Sequence, residues 1–517
     1  MKKLTLLLCF VSFLTNGQNI TVGSGKSFTI EKTGSVTMSG NFSNAGTFTL
    51  NSDSDEFSSI IIGGTVTGNI SYNRYVNSVG TNEWDLIGAP VEGQSINSFV
   101  TANASTLATN GDTYAIGYYD NETNTWTNYT TSTIGNAGNF NIGKGQQMAT
   151  ISGGTGILKF TGTPASTLQT QVIIDNNAAN SGTGARWNLI ANPFPSYLQG
   201  NTNAHSTNNF LTANSDKLDD SYEAIYGYDA DGTGYTVYNN SSAALFLAPG
   251  QGFMVASDNT NSDTVSFTTA MRTTTGGDDF IAGRNSENSF ELILKLYKGD
   301  SEIDHTKFYF GDGLGLDLDP GYDAGHFNQG ASLMSRLVEE DEGVGLVINA
   351  MGLESVNDVV APLELNMEAG NNFRISIGTF NINIGTNVYL EDNVQGTMTL
   401  LNDQDFELTA ENELSGVGRF FIHLTETVLS IDDKIETNYL NVFKADVNNF
   451  ITVEGLANQS NGTKLRLYTI RGKEVIFTTL NNTNNKQTIS TQGLSTGIYI
   501  VKLESGNILL TKKLFIK

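Results

Sequence analysis

Histidine and cysteine, two side chains that commonly carry out catalysis or bind metals, are few in this sequence of 517 residues. The four histidines are His205, His305, His326 and His423, and none has a second histidine at metal-ligand spacing. The only cysteine is Cys9, in an apolar run near the amino terminus. The sequence has no GxSxG turn and no GxxxxGK(S/T) phosphate loop. This pattern argues against a zinc centre, a Cys/His pair, a serine nucleophile and nucleotide hydrolysis.

One glycine-rich loop concentrates acidic residues. The stretch GDGLGLDLDPGYDAG contains Asp312, Asp317, Asp319 and Asp323. Calcium takes about six to eight oxygen ligands in flexible loops, so these four carboxylates are the candidate metal ligands, with calcium as the candidate cofactor. The alternative is ordinary turn chemistry, in which Asp accepts hydrogen bonds from nearby backbone. The stretch YDADGTG at 228–234 is a weaker candidate, because it lacks the distal glutamate of an EF-hand.

Carbohydrate chemistry is the second option. Glycoside hydrolysis needs two carboxyl groups about 5 to 10 Å apart, and 53 Asp and Glu supply many such pairs by chance. No pair stands out, so we expect a non-enzymatic protein and assign no catalytic residue. The three tryptophans, Trp84, Trp126 and Trp187, could stack on sugar rings. A large aromatic side chain before a tight turn is more often a core residue, which is the interpretation we favour.

The charge of the chain is uneven. Residues 431–517 hold 11 Lys and Arg against 7 Asp and Glu. Setting these and Lys2 and Lys3 aside leaves 15 basic residues against 46 acidic ones, a net charge near −31. Nucleic acids and anionic bilayers are bound mainly through Lys and Arg, so we expect neither as a partner. The simplest explanation of such a charge is that it keeps the protein soluble, and the more specific alternative is that it binds divalent cations.

The first eighteen residues have the layout of a secretory signal peptide. Lys2 and Lys3 precede an apolar run from Leu4 to Leu14, and small and polar residues follow. The run is too short to serve as a transmembrane anchor. Cys9 would be removed with it, so the exported chain would have no disulfide.

Short alternating runs of apolar and polar residues recur along the chain, separated by Gly, Asn and Asp, without a long 3.6-residue pattern. This is typical of an all-β protein with many turns. Between residues 19 and 72 the strands advance in steps of roughly seven to ten residues. Steps of this length are compatible with either a β-meander or a β-solenoid.

Two similar sequence motifs indicate an internal duplication of a domain of about 100 residues. WDLIGAP begins at Trp84 and WNLIANP at Trp187, an offset of 103. Further along, WTNY matches YTVY with an offset of 109, and LKFTG matches VSFTT. The same alignment places GKGQQMAT against APGQGFMVA with Gly145 opposite Gly250. The alternation in WNLI predicts a strand that enters a corner fixed by proline.

Residues 279–425 show a further strand pattern, with FELILKLY, TKFYFGDG and RFFIHLT as examples. Alternate residues are apolar, which predicts a two-sheet sandwich with one solvated face per sheet. The polar, acidic stretch at 426–437 then predicts a linker.

The carboxy-terminal block reads KLRLYTIRGKEV and then QTISTQGLSTGIYIVKLESGNILLTKKLFIK. Two strand pairs with glycine-containing turns predict a small β-sandwich. This block resembles the sorting domain of the type IX secretion system, whose members end in a G-(I/V)-Y strand, a turn and a basic terminus. The matching residues are Gly497, Tyr499, Lys512 and Lys513. The resemblance implies recognition by the outer-membrane translocon, then release or attachment at the cell surface.

The upstream blocks also resemble known modules. WNLIANPFP with an APGQGF strand resembles repeated β-domains of such surface cargo, and YLEDN followed by RFFIHL resembles a module that often precedes the sorting domain. These resemblances imply exposure at the cell surface and adhesion.

We therefore expect a non-enzymatic adhesin or stalk, secreted or attached to the outer cell surface. A polysaccharide-binding or polysaccharide-degrading protein is the alternative, with surface polysaccharide as its partner. The expected fold is an all-β, multidomain chain of β-sandwich-like domains. Its expected parts are a signal peptide (1–18), an N-terminal meandering or solenoid-like segment (19–72), repeat 1 (73–170), repeat 2 (171–278), a sandwich module (279–425), a linker (426–437) and the sorting domain (438–517).

Overall fold

A computed structural model describes most of the chain. The described residues are 19–79, 84–176, 184–229, 234–258, 260–277, 290–327, 330–382, 385–426, 440–444, 450–459, 462–469, 472–495, 497–506 and 508–516. The expected signal peptide and nearly all of the expected linker lie outside them. The described residues confirm an all-β, multidomain fold. No helix in these ranges is long and apolar enough to cross a membrane.

The N-terminal segment is a parallel solenoid, which decides between the two options left open by the sequence. Its strands are β1 (Ile20–Val22), β2 (Ser27–Ile30), β3 (Ser35–Met38), β4 (Phe42–Asn44), β5 (Thr47–Asn51), β6 (Ser59–Ile62), β7 (Val66–Thr67) and β8 (Ile70–Tyr75). Parallel pairing joins β1 to β4 and β4 to β7, β2 to β5 and β5 to β8, and β3 to β6. Each coil therefore covers the apolar side chains of the one before it.

Two similar units follow. The first contains β9 (Asp85–Gly88), α1 (Ile96–Ala102), β10 (Thr109–Asn110), β11 (Thr113–Asp120), β12 (Thr125–Thr130), β13 (Gly145–Met148) and β14 (Ile157–Gly162). The second contains β15 (Gln169–Ile173), β16 (Trp187–Ala191), β17 (Tyr197–Gln199), α2 (Phe210–Asn214), β18 (Ile225–Asp229), β19 (Gly234–Tyr238), β20 (Phe246–Leu247), β21 (Gly252–Ala256), β22 (Asp263–Phe267) and β23 (Arg272–Thr273). Short 3-10 turns lie at Ile134–Asn136, Ser215–Lys217, Asp220–Tyr222 and Thr269–Met271.

The central sheets of these units have the same strand order. Sheet 1 runs β9-β13-β11-β12, and sheet 2 runs β16-β21-β18-β19, with every pair antiparallel. Outside the central sheets, each unit has an equivalent antiparallel pair. This pair is β8 with β14 in the first unit and β15 with β22 in the second. Both helices begin at a side-chain cap, Ser95 for α1 and Asn209 for α2.

The end strands of the two sheets meet in a two-fold arrangement. The Gly88 amide donates to the Gly250 carbonyl at 2.8 Å, and the Ala191 amide donates to the Gly143 carbonyl at 2.8 Å. These bonds are equivalent under exchange of the units, as expected for an isologous contact. Gly88 and Ala191 approach so closely that an added Cβ at residue 88 would overlap the Ala191 Cβ. Each sheet therefore satisfies backbone groups at the edge of the other.

The strand pairing corrects the alignment of the glycines. Gly145 lies opposite Gly88, and Gly252 lies opposite Ala191, so Gly145 corresponds to Gly252. The expected match of Gly145 with Gly250 was wrong by two residues. A shift of two keeps every side chain on the same face of a strand, so hydrophobic alternation could not detect it.

Hydrophobic contacts cross the expected domain boundaries. The boundary at 72/73 falls inside β8, and that at 170/171 falls inside β15. One core contains Phe42 and Tyr72 of the solenoid together with Phe99 and Phe160 of the first unit. Arg74 is fully buried, with its guanidinium 4.1 Å from the Phe57 ring centre and its Nε donating to the Pro249 carbonyl at 2.9 Å. The solenoid and the two units therefore pack as one body.

The third module is a single folded sheet instead of the expected two. Its elements are β24 (Phe290–Lys298), β25 (Ser301–Gly311), β26 (Ala324–Gly325), β27 (Ser332–Ser335), β28 (Leu346–Gly352), a 3-10 turn (Leu353–Asn357), β29 (Asp358–Asn366), β30 (Asn372–Asn381), β31 (Asn387–Asp392), β32 (Thr397–Leu400), β33 (Phe406–Thr409) and β34 (Val417–Thr425). β27 pairs with both β28 and β29, so hydrogen bonding continues through the sheet. The Phe406 ring of β33 lies 5.8 Å from the Phe420 ring of β34, because the sheet closes over one core.

The carboxy-terminal domain is a small two-sheet sandwich, as predicted. Its elements are β35 (Asn441–Phe443), β36 (Phe450–Glu454), a 3-10 turn (Leu456–Asn458), β37 (Thr463–Thr469), β38 (Glu474–Leu480), β39 (Gln487–Ser490), β40 (Gly497–Ser505) and β41 (Ile508–Ile516). One sheet has the order β35-β36-β39 and the other β38-β37-β40-β41. Side chains of both sheets share one core, for example Ile451 with Val501.

Replacing Gly88 by Ala tests the contact between the sheets. Overpacking against Ala191 should lower the free energy of unfolding by about 1 to 3 kcal/mol. The double variant G88A/A191G should recover most of this loss, because it removes the atom that the new methyl group meets. G135A is the control, since nothing lies within 4 Å of an added Cβ there. Calorimetry gives the comparison, and equal melting temperatures for G88A and G135A would contradict the role of the contact.

Candidate functional site at the carboxy-terminal junction

The residues of the sorting motif lie on one hairpin, formed by β40 and β41. Gly497 opens β40 and pairs with Ile516 at the far end of β41. Tyr499 is buried in the sandwich core, and its hydroxyl donates to the Ser495 carbonyl at 2.8 Å. The tyrosine therefore anchors the hairpin from inside.

The two motif lysines have different surroundings. Lys512 Nζ donates to the Asp341 carbonyl of the third module at 2.6 Å. Lys513 is exposed to solvent. Successive residues of a strand point to opposite faces, so one lysine contacts the body of the chain and the other is accessible to a partner.

A buried arginine joins the third module to the carboxy-terminal domain. Arg336 is 1% exposed and forms ion pairs with Asp341 at 2.9 Å, Glu364 at 2.9 Å and Glu454 at 3.1 Å. Glu454 ends β36, whereas the other two carboxylates belong to the third module. A buried guanidinium is stable only when its charge and its donors are satisfied. Glu454 of the carboxy-terminal domain thus supplies one of the carboxylates that neutralise the buried charge of Arg336.

Further polar contacts surround this arginine. Lys486 Nζ lies 2.6 Å from Glu454, and Asn441 Nδ2 donates to Asp341 Oδ2 at 2.9 Å. The Phe443 ring lies beneath both Arg336 and Lys486, 5.7 and 5.6 Å from their charged groups. The carboxy-terminal domain is therefore held against the acidic body by compensating charges and a cation–π contact.

The acidic loop does not form a metal cage in the structure. Asp312 and Asp317 are exposed, and Asp319 accepts the Gly315 amide at 2.8 Å. Asp323 is fully buried and accepts the amides of Asp319 at 2.7 Å and Ala350 at 2.6 Å. Across the described ranges, no group of three or more His, Cys, Asp or Glu is arranged to hold a metal ion. The calcium prediction gains no geometric support, and Asp231 of the weaker candidate lies outside the described residues.

The three tryptophans do not form a common row. Trp187 is buried, with its ring 4.7 Å from Tyr226 and 4.4 Å from Phe327. Trp84 is half-buried against a cluster of small residues. Trp126 is 39% exposed, and its ring centre lies 5.2 Å from that of Tyr119. The core interpretation thus fits Trp187, whereas Trp126 is the most exposed of the three rings.

Comparisons with known proteins identify two regions. Residues 10–423 match a family described as a domain of unknown function, DUF8693. The chain belongs to this family. Residues 445–517 match the secretion system C-terminal sorting domain. No curated protein matches the chain.

The second match confirms the resemblance to type IX cargo. The chain carries a type IX sorting domain, so it interacts with that secretion machinery and is secreted or attached to the outer cell surface. The DUF8693 family has no described activity to transfer to the body of the chain.

Sequence reasoning missed two buried histidine–carboxylate pairs. His326 Nε2 lies 2.9 Å from Asp304, and His423 Nε2 lies 2.8 Å from Glu391. In the pairing of β31 with β34, His423 lies opposite Tyr389 and Glu391 lies opposite Phe421, so His423 and Glu391 meet as diagonal neighbours on one face. Sequence spacing does not reveal this register. All four side chains are under 10% exposed, so the pairs fit an internal polar role better than contact with a substrate.

Two further buried carboxyl groups lie where the second unit meets the third module. Glu223 is 6% exposed, and burial together with the charge of Asp220 raises its pKa to about 7. Burial also raises the pKa of Asp323 to about 7, although the amides that it accepts act in the opposite direction. Gly321 brings its backbone against Glu223, since an added Cβ there would lie 3.1 Å from Glu223 Oε1.

Replacing Arg336 by Met tests the charged junction. The variant removes the cation that pairs with Asp341 and Glu364 and one of the two that pair with Glu454, which should cost about 3 to 5 kcal/mol. Hydrogen exchange should rise at the amides of Asn441 and Val442 and in the third module near Asp341. R374M is the matched control, because its partner Asp405 is largely exposed and such a pair contributes about 1 kcal/mol at most. Equal exchange in the two variants would show that Arg336 does not hold the domain.

Replacing Glu223 by Gln tests the pH response of the body. A raised carboxyl pKa means that the folded state holds a proton that the unfolded state has lost, so stability should fall as pH rises from about 4.5 to about 7. E223Q and the wild type should be similarly stable at pH 4.5. At pH 8 the variant should be more stable by about 1 to 3 kcal/mol. Melting temperatures across this range provide the measurement, and parallel curves would contradict a raised pKa.

Proposed function

We propose that residues 19–425 act at the cell surface as a non-enzymatic adhesive or spacer body. The observation that carries this proposal is the continuity of packing between successive units. Arg74 joins the solenoid to the second unit, and one apolar cluster joins Trp187 of sheet 2 to Val347 and Ile348 of the third module. Such shared interiors favour one stiff body over a string of independently moving domains. A stiff body suits the display of a binding face away from the cell.

The signal peptide and the internal duplication belong to the same proposal. Residues 1–18 would direct the chain across the inner membrane before the sorting domain acts. The equal strand orders of sheets 1 and 2 support a duplicated unit. Duplication supplies two similar surfaces that can diverge, one into a packing interface and one into a binding face.

Polysaccharide binding is the second candidate, and the exposed ring of Trp126 favours it. Polysaccharide degradation has weaker support. The carboxyl groups with the largest pKa shifts, Glu223 and Asp323, are buried at a contact between modules, where a polymer chain has no access.

Adherence and hydrolysis can be measured on the same protein. Cells that carry the full chain should attach to their substratum several-fold better than cells lacking the gene. Cells carrying a chain without residues 445–517 should behave like the cells lacking the gene, because the cargo is not exported. The purified full chain should release no reducing ends from neutral polysaccharides. Equal attachment of all three strains would contradict the adhesive role, and sustained sugar release would establish an enzyme instead.

A further inference from the structure

Sheets 1 and 2 correspond residue by residue across their strands. In sheet 1, directly opposite residues form the row Asn128, Gly117, Gln147 and Leu86. The equivalent row of sheet 2 is Val237, Tyr226, Met254 and Leu189. In the neighbouring row, the pair Tyr119 and Trp126 corresponds to Tyr228 and Tyr235. These rows define one face of each sheet, because directly opposite residues share a face.

The face of sheet 2 is covered by an aromatic ring from elsewhere in the chain. Phe327 of the third module lies 4.1 Å from the Tyr235 ring, 4.4 Å from Trp187 and 6.0 Å from Tyr226. The surrounding row is apolar, with Met254 fully buried in the same cluster. The structure thus shows how this face binds a flat six-membered ring.

The face of sheet 1 keeps the aromatic pair but changes what surrounds it. The rings of Tyr119 and Trp126 lie 5.2 Å apart, close to the 5.4 Å of Tyr228 and Tyr235. Gly117 stands where sheet 2 has Tyr226, which removes a ring from the middle of the face. The side chains beside it are now amides.

These amides replace apolar side chains at equivalent positions. Asn128 occupies the position of Val237 in sheet 2, and Gln147 occupies the position of Met254. Gln147 Nε2 donates to Asn128 Oδ1 at 2.6 Å. Both side chains are partly exposed, as is Trp126. A ring on sheet 1 would therefore meet hydrogen-bonding groups at the positions where sheet 2 has Val237 and Met254, which belong to the apolar cluster that contains Phe327. A ring that carries hydroxyl groups fits this face better than a phenyl ring.

We propose that this face of sheet 1 binds a pyranose ring of a neutral polysaccharide. The apolar face of the sugar would stack on Trp126, and its hydroxyl groups would bond to the amides of Asn128 and Gln147. The net charge of the body, near −31, disfavours an anionic polymer. This inference rests on the proposed adhesive function and names its ligand.

Binding can be tested with the purified full chain and neutral hexasaccharides of glucose, mannose, xylose and N-acetylglucosamine. At least one should bind with a change in tryptophan fluorescence, since Trp126 is one of only three tryptophans. W126A should weaken binding at least tenfold in calorimetry. N128V/Q147M, which copies sheet 2, should also weaken it about tenfold while keeping the ring. F380A is the matched control, with an exposed ring in the third module, and should bind like the wild type.

Three results would overturn the proposal. The first is failure of all four hexasaccharides to bind, and the second is equal binding by W126A and the wild type. The third is binding of a peptide with the sequence of residues 322–327 to sheet 1 in place of any sugar, which would assign the face to a protein partner. Attachment of cells by the full chain would persist in each case if another surface is adhesive, so the adhesive function is judged separately.

Discussion

The close approach of β9 and β16 is the constraint on which the upstream body depends. Both strands end their sheets, and an uncovered edge would leave a row of unpaired amides and carbonyls. Both edges are covered by the same contact. The glycine-rich segments at 143–145 and 250–252 each lie against the end strand of the other unit and accept hydrogen bonds from its amides. Side chains there must be absent or small, and Gly88 and Ala191 meet that need. The shared arrangement then fixes which face of each sheet is left to other partners.

Divergence of those two faces gives the body its asymmetry. On sheet 2, Tyr226 and Met254 continue the apolar surface on which the third module packs. On sheet 1, Gly117 and Gln147 interrupt that surface, so a similar packing contact would bury amides without compensation. One copy is thereby committed to holding the molecule together. The other leaves the Trp126 ring exposed, while its neighbour Tyr119 packs at the margin of the same apolar cluster.

The sorting domain is attached by a different principle. Its contact with the third module centres on Arg336 and the carboxylates around it, whereas the upstream contacts are mainly apolar or backbone-mediated. A buried charge is stable only with all its partners in place, which favours one docked geometry over sliding alternatives. Lys512 takes part in the contact, and Lys513 on the opposite face of β41 stays open to solvent. The export signal is therefore partly covered and partly presented by the folded cargo.

Much of this architecture follows from local sequence. Alternating runs broken by Gly and Asn dictate strands and turns, and the terminal hairpin with Tyr499 and its lysines was identifiable because its spacing is short and continuous in sequence. The similar sequences that begin at Trp84 and Trp187 form sheets with the same strand order. By contrast, the two-residue shift that pairs Gly145 with Gly252 leaves alternation unchanged, so only hydrogen bonding could place it. Some decisive partners come from distant segments that only the folded chain brings together: Glu454 for Arg336, Glu391 for His423 and Ala350 for Asp323. Whether a tryptophan is covered or open was likewise decided by what packs on it, since Phe327 reaches Trp187 and not Trp126, and such long-range contacts exist only in the folded chain.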